Sequence, residues 1–301
     1  MSYVYRMAGE DLKLAGAEIS GFLESQGIEE VEFEDGYALA ASEPRQLKRL
    51  ALVHEVCEVI GKTQELDKLD YSPDSSFRVR SDEDGRKLEK KAGSILDAEK
   101  NSVELEDPEE DLRLYRVGDE YVLGRVVEDI ERGLFEKRAN QERVFSSPVS
   151  LDPVLARVMV NLSGVEAGGS IIDPFCGTGG ILIESGLCGI KPHGLDIQEK
   201  MVEGARQNLE SYGILNHDIR ERAVKDAPGT FDRKFDAVVT DLPYGQASKT
   251  EGNPLEDFLE VAPELTDGRI VFMSDQPEIQ GLEPEFEIYE HKNLTRYVYS
   301  I

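Results

Sequence analysis

The stretch Asp241-Leu242-Pro243-Tyr244 follows the apolar run Ala237-Val238-Val239. A carboxylate beside a backbone carbonyl can accept the two hydrogens of a planar amino group. A proline fixes the turn that presents them, and a tyrosine ring offers a flat ligand a face to stack on. The same four residues also fit an ordinary strand-to-loop turn with a surface aromatic. The rest of the chain decides between the two readings.

Three further polar signals lie upstream. Asp173-Pro174-Phe175-Cys176-Gly177-Thr178-Gly179-Gly180 sits between an apolar strand and a helix. Its glycines let a ligand approach the backbone, and a helix N-terminus offers free N–H groups. No Gly-Lys-Ser/Thr follows, so this is not a Walker loop, and the spacing departs from the dinucleotide GxGxxG. Asp196, followed by Ile197, closes the next strand. A carboxylate there, about 20 residues on, accepts ribose hydroxyls; a helix N-cap is its other ordinary use. Asp226-Ala227 follows the third strand, placed to reach an adenine amino group or to serve as a plain loop aspartate. A glycine loop without a phosphate-binding lysine, joined to acidic residues at two further strand ends, suits an adenosine ligand lacking phosphates. S-adenosylmethionine is the first candidate cofactor, and no metal is expected.

Strands and helices alternate from residue 151 onward. Continuous apolar strands between helices predict a parallel sheet buried on both faces, with ligands at the carboxyl ends of its strands. Residues 1–65 read strand, helix, strand, strand, helix, strand, the ferredoxin-like order, with the second helix over 43–52. Residues 66–130 read as a small α+β unit with a helix over 84–100 and a turn at Gly118-Asp119. Residues 131–150 show no period and read as linker.

The net charge of −27 is spread along the chain, with 21 basic against 35 acidic side chains in residues 1–150 and 13 against 26 in 151–301. Such a surface repels nucleic acid at long range. It suits a host with high internal salt, where screening shortens that repulsion; refolding stability indifferent to KCl would contradict this. No apolar window is long enough for a membrane span. The opening residues lack a signal-peptide core. Cys57, Cys176 and Cys188 form no zinc or disulfide spacing. A cytoplasmic protein is expected.

Together "DPFCGTGGILIE", "TDLPYG" and "SLDPVLARVMVNL" resemble the archaeal tRNA (guanine-10-N2) methyltransferase/dimethyltransferase family. The resemblance covers essentially the whole chain. It implies a class I, Rossmann-like methyltransferase domain over 151–301 with a mostly parallel seven-stranded sheet. A THUMP-like domain over 66–130 and a ferredoxin-like domain over 1–65 precede it. The family's Asp-Pro-Pro-Tyr appears here as Asp241-Leu242-Pro243-Tyr244. Leu242 still supplies a carbonyl, although one proline's rigidity is lost. The implied roles are amine acceptors for Asp241 and Leu242, a fixed turn for Pro243 and a stacking face on a flipped base for Tyr244.

The resemblance also implies tRNA as partner and, as in the related eukaryotic system, a small activating protein. Candidate RNA contacts are Arg78 and Arg80 on a strand, Arg86, Lys87 and Lys90 on the following helix, Arg138 in the linker, and Thr295 and Arg296 in "HKNLTR". A solvated helix face and an ordinary turn are the plain alternatives for these. Methylation of guanine N2 at another tRNA position, of adenine N6 or of an amide nitrogen, and a non-catalytic tRNA-binding module, are the competing functions.

Overall fold

In the computed structural model, residues 1–9, 11–82, 86–97, 103–148, 150–243, 253–291 and 294–301 are described. The chain forms two compact units. One comprises residues 1–19, 27–48 and 52–131, the other residues 20–26, 49–51 and 132–301.

The first unit is built on β1 (Tyr3–Met7), α1 (Leu12–Glu24), β2 (Val31–Glu34), β3 (Tyr37–Ala40), β4 (Val53–Thr63), β5 (Phe77–Arg80), α2 (Arg86–Leu96), β6 (Glu110–Val117) and β7 (Glu120–Asp129). Its strands form one sheet in the order β2-β3-β1-β4-β7-β6-β5. The 11-residue β4 pairs with β1 on one side and β7 on the other. Residues 1–65 and 66–130, expected as two domains, therefore contribute to a single continuous sheet. The helix expected over 43–52 is only a 3-10 turn at Leu47–Arg49. Pro44 and a left-handed Gln46, at φ 56°, stop a longer helix from forming.

The second unit contains α3 (Gly133–Glu136), α4 (Pro153–Leu162), β8 (Ser170–Asp173), α5 (Gly180–Leu187), β9 (Lys191–Asp196), α6 (Glu199–Ser211), β10 (Asp218–Glu221), α7 (Ala227–Thr230), β11 (Ala237–Asp241), α8 (Pro254–Leu265), β12 (Ile270–Ser274), β13 (Phe286–His291) and β14 (Leu294–Ser300). The sheet order is β10-β9-β8-β11-β12-β14-β13. Strands β8 to β12 run parallel, and β14 enters antiparallel beside β12. Every residue of β8 and β12 is buried, as expected of strands covered on both faces. Phe258, Phe272 and Tyr299 stack in one core, the last two at 4.9 Å and nearly parallel. Chain direction out of the sheet centre switches between β8 and β11, which makes a ligand crevice at their carboxyl ends.

Residues 131–150 are not a free linker. Arg138 and Arg157 both pair with the fully buried Glu184 of α5, at 2.7 Å each, and both guanidinium groups lie over the Phe135 ring. Phe145 lies so close over α6 that a Cβ on Gly204 would fall 2.1 Å from its ring. Asn208 accepts from the Phe145 N–H and donates to the Phe145 and Thr178 carbonyls, each at 2.9 Å. Side-chain bonds hold this segment, which is why no hydrophobic period announces it.

Candidate active site

Asp173, Asp196 and Asp241 are the last residues of β8, β9 and β11. Parallel strands bring these three ends to one edge of the sheet. A cleft of about 250 Å³ opens there, lined by the Asp173–Thr178 loop, Gly180, Ile181, Asp196–Gln198, Met201, Val224 and Asp241–Pro243. Ser147, Ser150 and Leu151 complete its wall.

Local hydrogen bonds fix the loop. The Phe175 N–H donates to Asp173 Oδ1 at 3.0 Å, and the Thr240 hydroxyl, from β11, donates to the same oxygen at 2.6 Å. The Cys176 N–H meets the Leu195 carbonyl, and the Gly177 N–H meets Asp196 Oδ2 at 3.1 Å. Gly177 and Gly179 have φ of 50° and 83°, a region that side chains other than glycine's rarely adopt. Burial pushes the Asp173 carboxyl up to about 7, against the opposing pull of the Thr240 and Phe175 donors. Burial also raises Asp196, opposed by N–H bonds from Gln198 and Gly177.

Leu242 turns its side chain into the core, and its N–H donates to the Met273 carbonyl at 2.9 Å. Asp241 stays at the cleft, where Arg296 of β14 donates to its Oδ1. Arg296 is 1% exposed, so it is a partner of the acid rather than a surface contact for phosphate. Thr295 beside it is half-buried. Tyr244 lies outside the described residues. Asp226 is exposed and Ala227 is packed in the core; Val224, two residues earlier, lines the cleft instead.

The other basic residues divide by environment. Arg78 pairs with Asp111 and Arg80 with Glu89, while Arg138 is committed to Glu184. Arg86, Lys87 and Lys90 are exposed on α2 and form no ion pair among the described residues. Sequence reading missed Ser147, Ser150, Met201 and Val224. Their only signal was proximity to strand ends and to a segment without period.

A parallel sheet with an antiparallel β14 inserted beside β12, and three acidic strand ends around a glycine loop, define a class I S-adenosylmethionine-dependent methyltransferase. Residues 140–278 match the family model described as RMKL-like, methyltransferase domain. TrmN from Thermus thermophilus shares the fold over 100% of this chain and 99% of its own, at a TM-score of 0.55 and 20% identity. The tRNA (guanine(10)-N2)-dimethyltransferase of Methanothermobacter thermautotrophicus is 37% identical over 99% of this chain and 98% of its own length. That of Pyrococcus abyssi is 34% identical over 84% of each chain. The chain belongs to the tRNA (guanine(10)-N2)-dimethyltransferase family.

Proposed function

We propose that this protein methylates the exocyclic N2 of a guanosine in tRNA, at the position 10 named for its relatives, adding one or two methyls. The observation that carries the reading is the opening of Asp241, Leu242 and the Asp173–Gly180 loop onto one cleft with Asp196. When bound, S-adenosylmethionine supplies an electrophilic methyl on sulfur. Asp196 suits the ribose hydroxyls, Val224, Ile197 and Met201 the adenine faces, and Asp173 the ammonium of the amino-acid tail.

The guanine amine is a poor nucleophile because its lone pair is delocalised into the ring. Hydrogen bonds to the Asp241 carboxylate and the Leu242 carbonyl bias that nitrogen towards a tetrahedral shape. Pro243 holds the two acceptors in register. Transfer then depends on positioning, and Asp241 is placed to take the departing proton.

In this proposal the first unit, as ferredoxin-like and THUMP-like segments, engages tRNA through the exposed Arg86, Lys87 and Lys90 of α2. The proposal places the protein in the cytoplasm, a compartment that suits its three buried cysteine thiols; no helix among the described residues is long and apolar enough to cross a membrane. A small activating protein also belongs to the proposal, and full activity of the chain alone would remove it.

The test is incubation with unmodified tRNA and labelled S-adenosylmethionine at several KCl concentrations, followed by nucleoside mass spectrometry. N2-methylguanosine or its dimethyl form, lost in Asp241→Ala, is the expected result. Methyladenosine would overturn the assignment, and tRNA binding without transfer at any salt would favour a binding module.

A further inference from the structure

Arg143 is a buried cation that the chemistry above does not use. It is 6% exposed. Its Nε donates to the Arg138 carbonyl at 3.0 Å and its Nη1 to Ser150 Oγ at 2.8 Å. Nη2 is buried and has no hydrogen-bond partner among the described residues. An open donor on a buried charge is destabilising unless an anion meets it.

The guanidinium lies against the mouth of a helix. A Cβ built on Gly180, the first residue of α5, would be 3.3 Å from Nη1 and 3.7 Å from Nη2. Gly180, Ser147 and Ser150 line the cleft. The first N–H groups of α5 have no acceptor within the helix, and its dipole favours an anion there. The charged residues that line the cleft, Asp173, Asp196 and Asp241, are acidic, and Arg143 stands behind the lining residues Ser150 and Gly180. An anionic part of a ligand therefore has one favourable end of the cleft, between Ser150 and Gly180.

We propose that Arg143, with the Ser150 hydroxyl and the α5 N-terminus, holds the carboxylate of the amino-acid tail of S-adenosylmethionine. Ser150 accepts from Arg143 and is left with its own O–H to donate outward. The bare Cα of Gly180 leaves room for the anion beside the guanidinium. The inference rests on the reading that the cleft takes this cofactor.

The experiment is calorimetric titration of the whole protein with S-adenosylhomocysteine, its decarboxylated analogue and methylthioadenosine. Wild type is expected to bind S-adenosylhomocysteine about thirtyfold more tightly than the decarboxylated analogue, the scale of a charge-assisted pair. In Arg143→Met that ratio falls to within about threefold, while the decarboxylated analogue binds as in wild type; Arg143→Lys and Ser150→Ala fall between. Equal affinity of wild type for the two ligands overturns the inference without need of any variant. So does an Arg143→Met that weakens both ligands alike, which marks a purely structural arginine. Wild type that binds neither S-adenosylhomocysteine nor methylthioadenosine overturns the cofactor reading itself.

Discussion

Arg296 on β14 donates its Nη2 to Oδ1 of Asp241 on β11, across 55 residues of sequence. Burial brings the guanidinium down to about 10, so it remains a cation at neutral pH. Oδ1 of Asp241 is thereby occupied, and the carboxylate keeps further acceptor capacity for a substrate N–H. The last strand, which enters the sheet antiparallel, thus orients the residue proposed to grip the amine.

Removing that cation should slow transfer more than it weakens binding. In Arg296→Gln, kcat is expected to fall about a hundredfold, with S-adenosylhomocysteine affinity within about threefold of wild type. Steady-state rates and parallel calorimetry measure both. A matching collapse of cofactor affinity would instead assign Arg296 to holding the fold.

Asp173 leads to a pH prediction. Its ordinary value of 3.8 rises to about 7 in the folded chain, so between these values the folded state binds more protons than the unfolded. The sign follows: stability from this group is greatest below the ordinary value and declines as pH rises to about 7. Asp173→Asn keeps an acceptor for Thr240 and Phe175 and removes the buried charge. It should melt roughly 5 °C higher than wild type at pH 8, with the difference shrinking towards pH 5. Cofactor binding runs the other way, since a cationic ammonium prefers the ionised acid. Wild-type affinity should rise as pH climbs towards 7, by at most about tenfold per unit, and level off above it. Melting curves and titrations at pH 5, 7 and 8 decide it.

The parallel strands and their acidic ends were legible because each is a local pattern. An apolar run such as Ala237-Val238-Val239 is buried on both faces, and the acid that ends its strand, Asp241, marks the cleft. Register across β8, β9 and β11 then brings Asp173, Asp196 and Asp241 together without further information. The partnership of Arg296 with Asp241 was not legible, since it depends on where β14 inserts. Nor were Ser147 and Ser150, which line the cleft, or Arg143 behind Ser150, in a segment held by Phe145 on Gly204 and by the Glu184 pairs. Asp226 has the spacing of an adenine contact; a 3-10 turn at Val224–Asp226 brings Val224 to the cleft lining and leaves Asp226 exposed.

The Glu184 triad should matter to stability far more than to RNA. Glu184→Ala removes the carboxylate with which both Arg138 and Arg157 pair, and stranding buried charge costs about 3–5 kcal/mol. Thermal denaturation should show a large loss, smaller for Glu184→Gln. Arg138→Met, by the same logic, should lower stability and leave the salt dependence of tRNA affinity unchanged. A reduced salt slope in that variant would return Arg138 to the RNA interface.

The exposed cations of α2 should behave in the opposite way. A chain of net charge −27 repels tRNA at long range, so the few phosphate contacts it makes must be local. Each neutralised phosphate contributes about 0.7–0.9 to the slope of log affinity against log salt. Replacing Arg86, Lys87 and Lys90 together by alanine should flatten that slope by about two units and leave the melting temperature in place, because none of the three forms an ion pair among the described residues. Filter binding from low to high KCl, with tRNA and with an unrelated duplex RNA, measures it. An unchanged slope would move the RNA contact off this helix, whereas a flatter slope for both ligands would show that α2 reads phosphate rather than the tRNA itself.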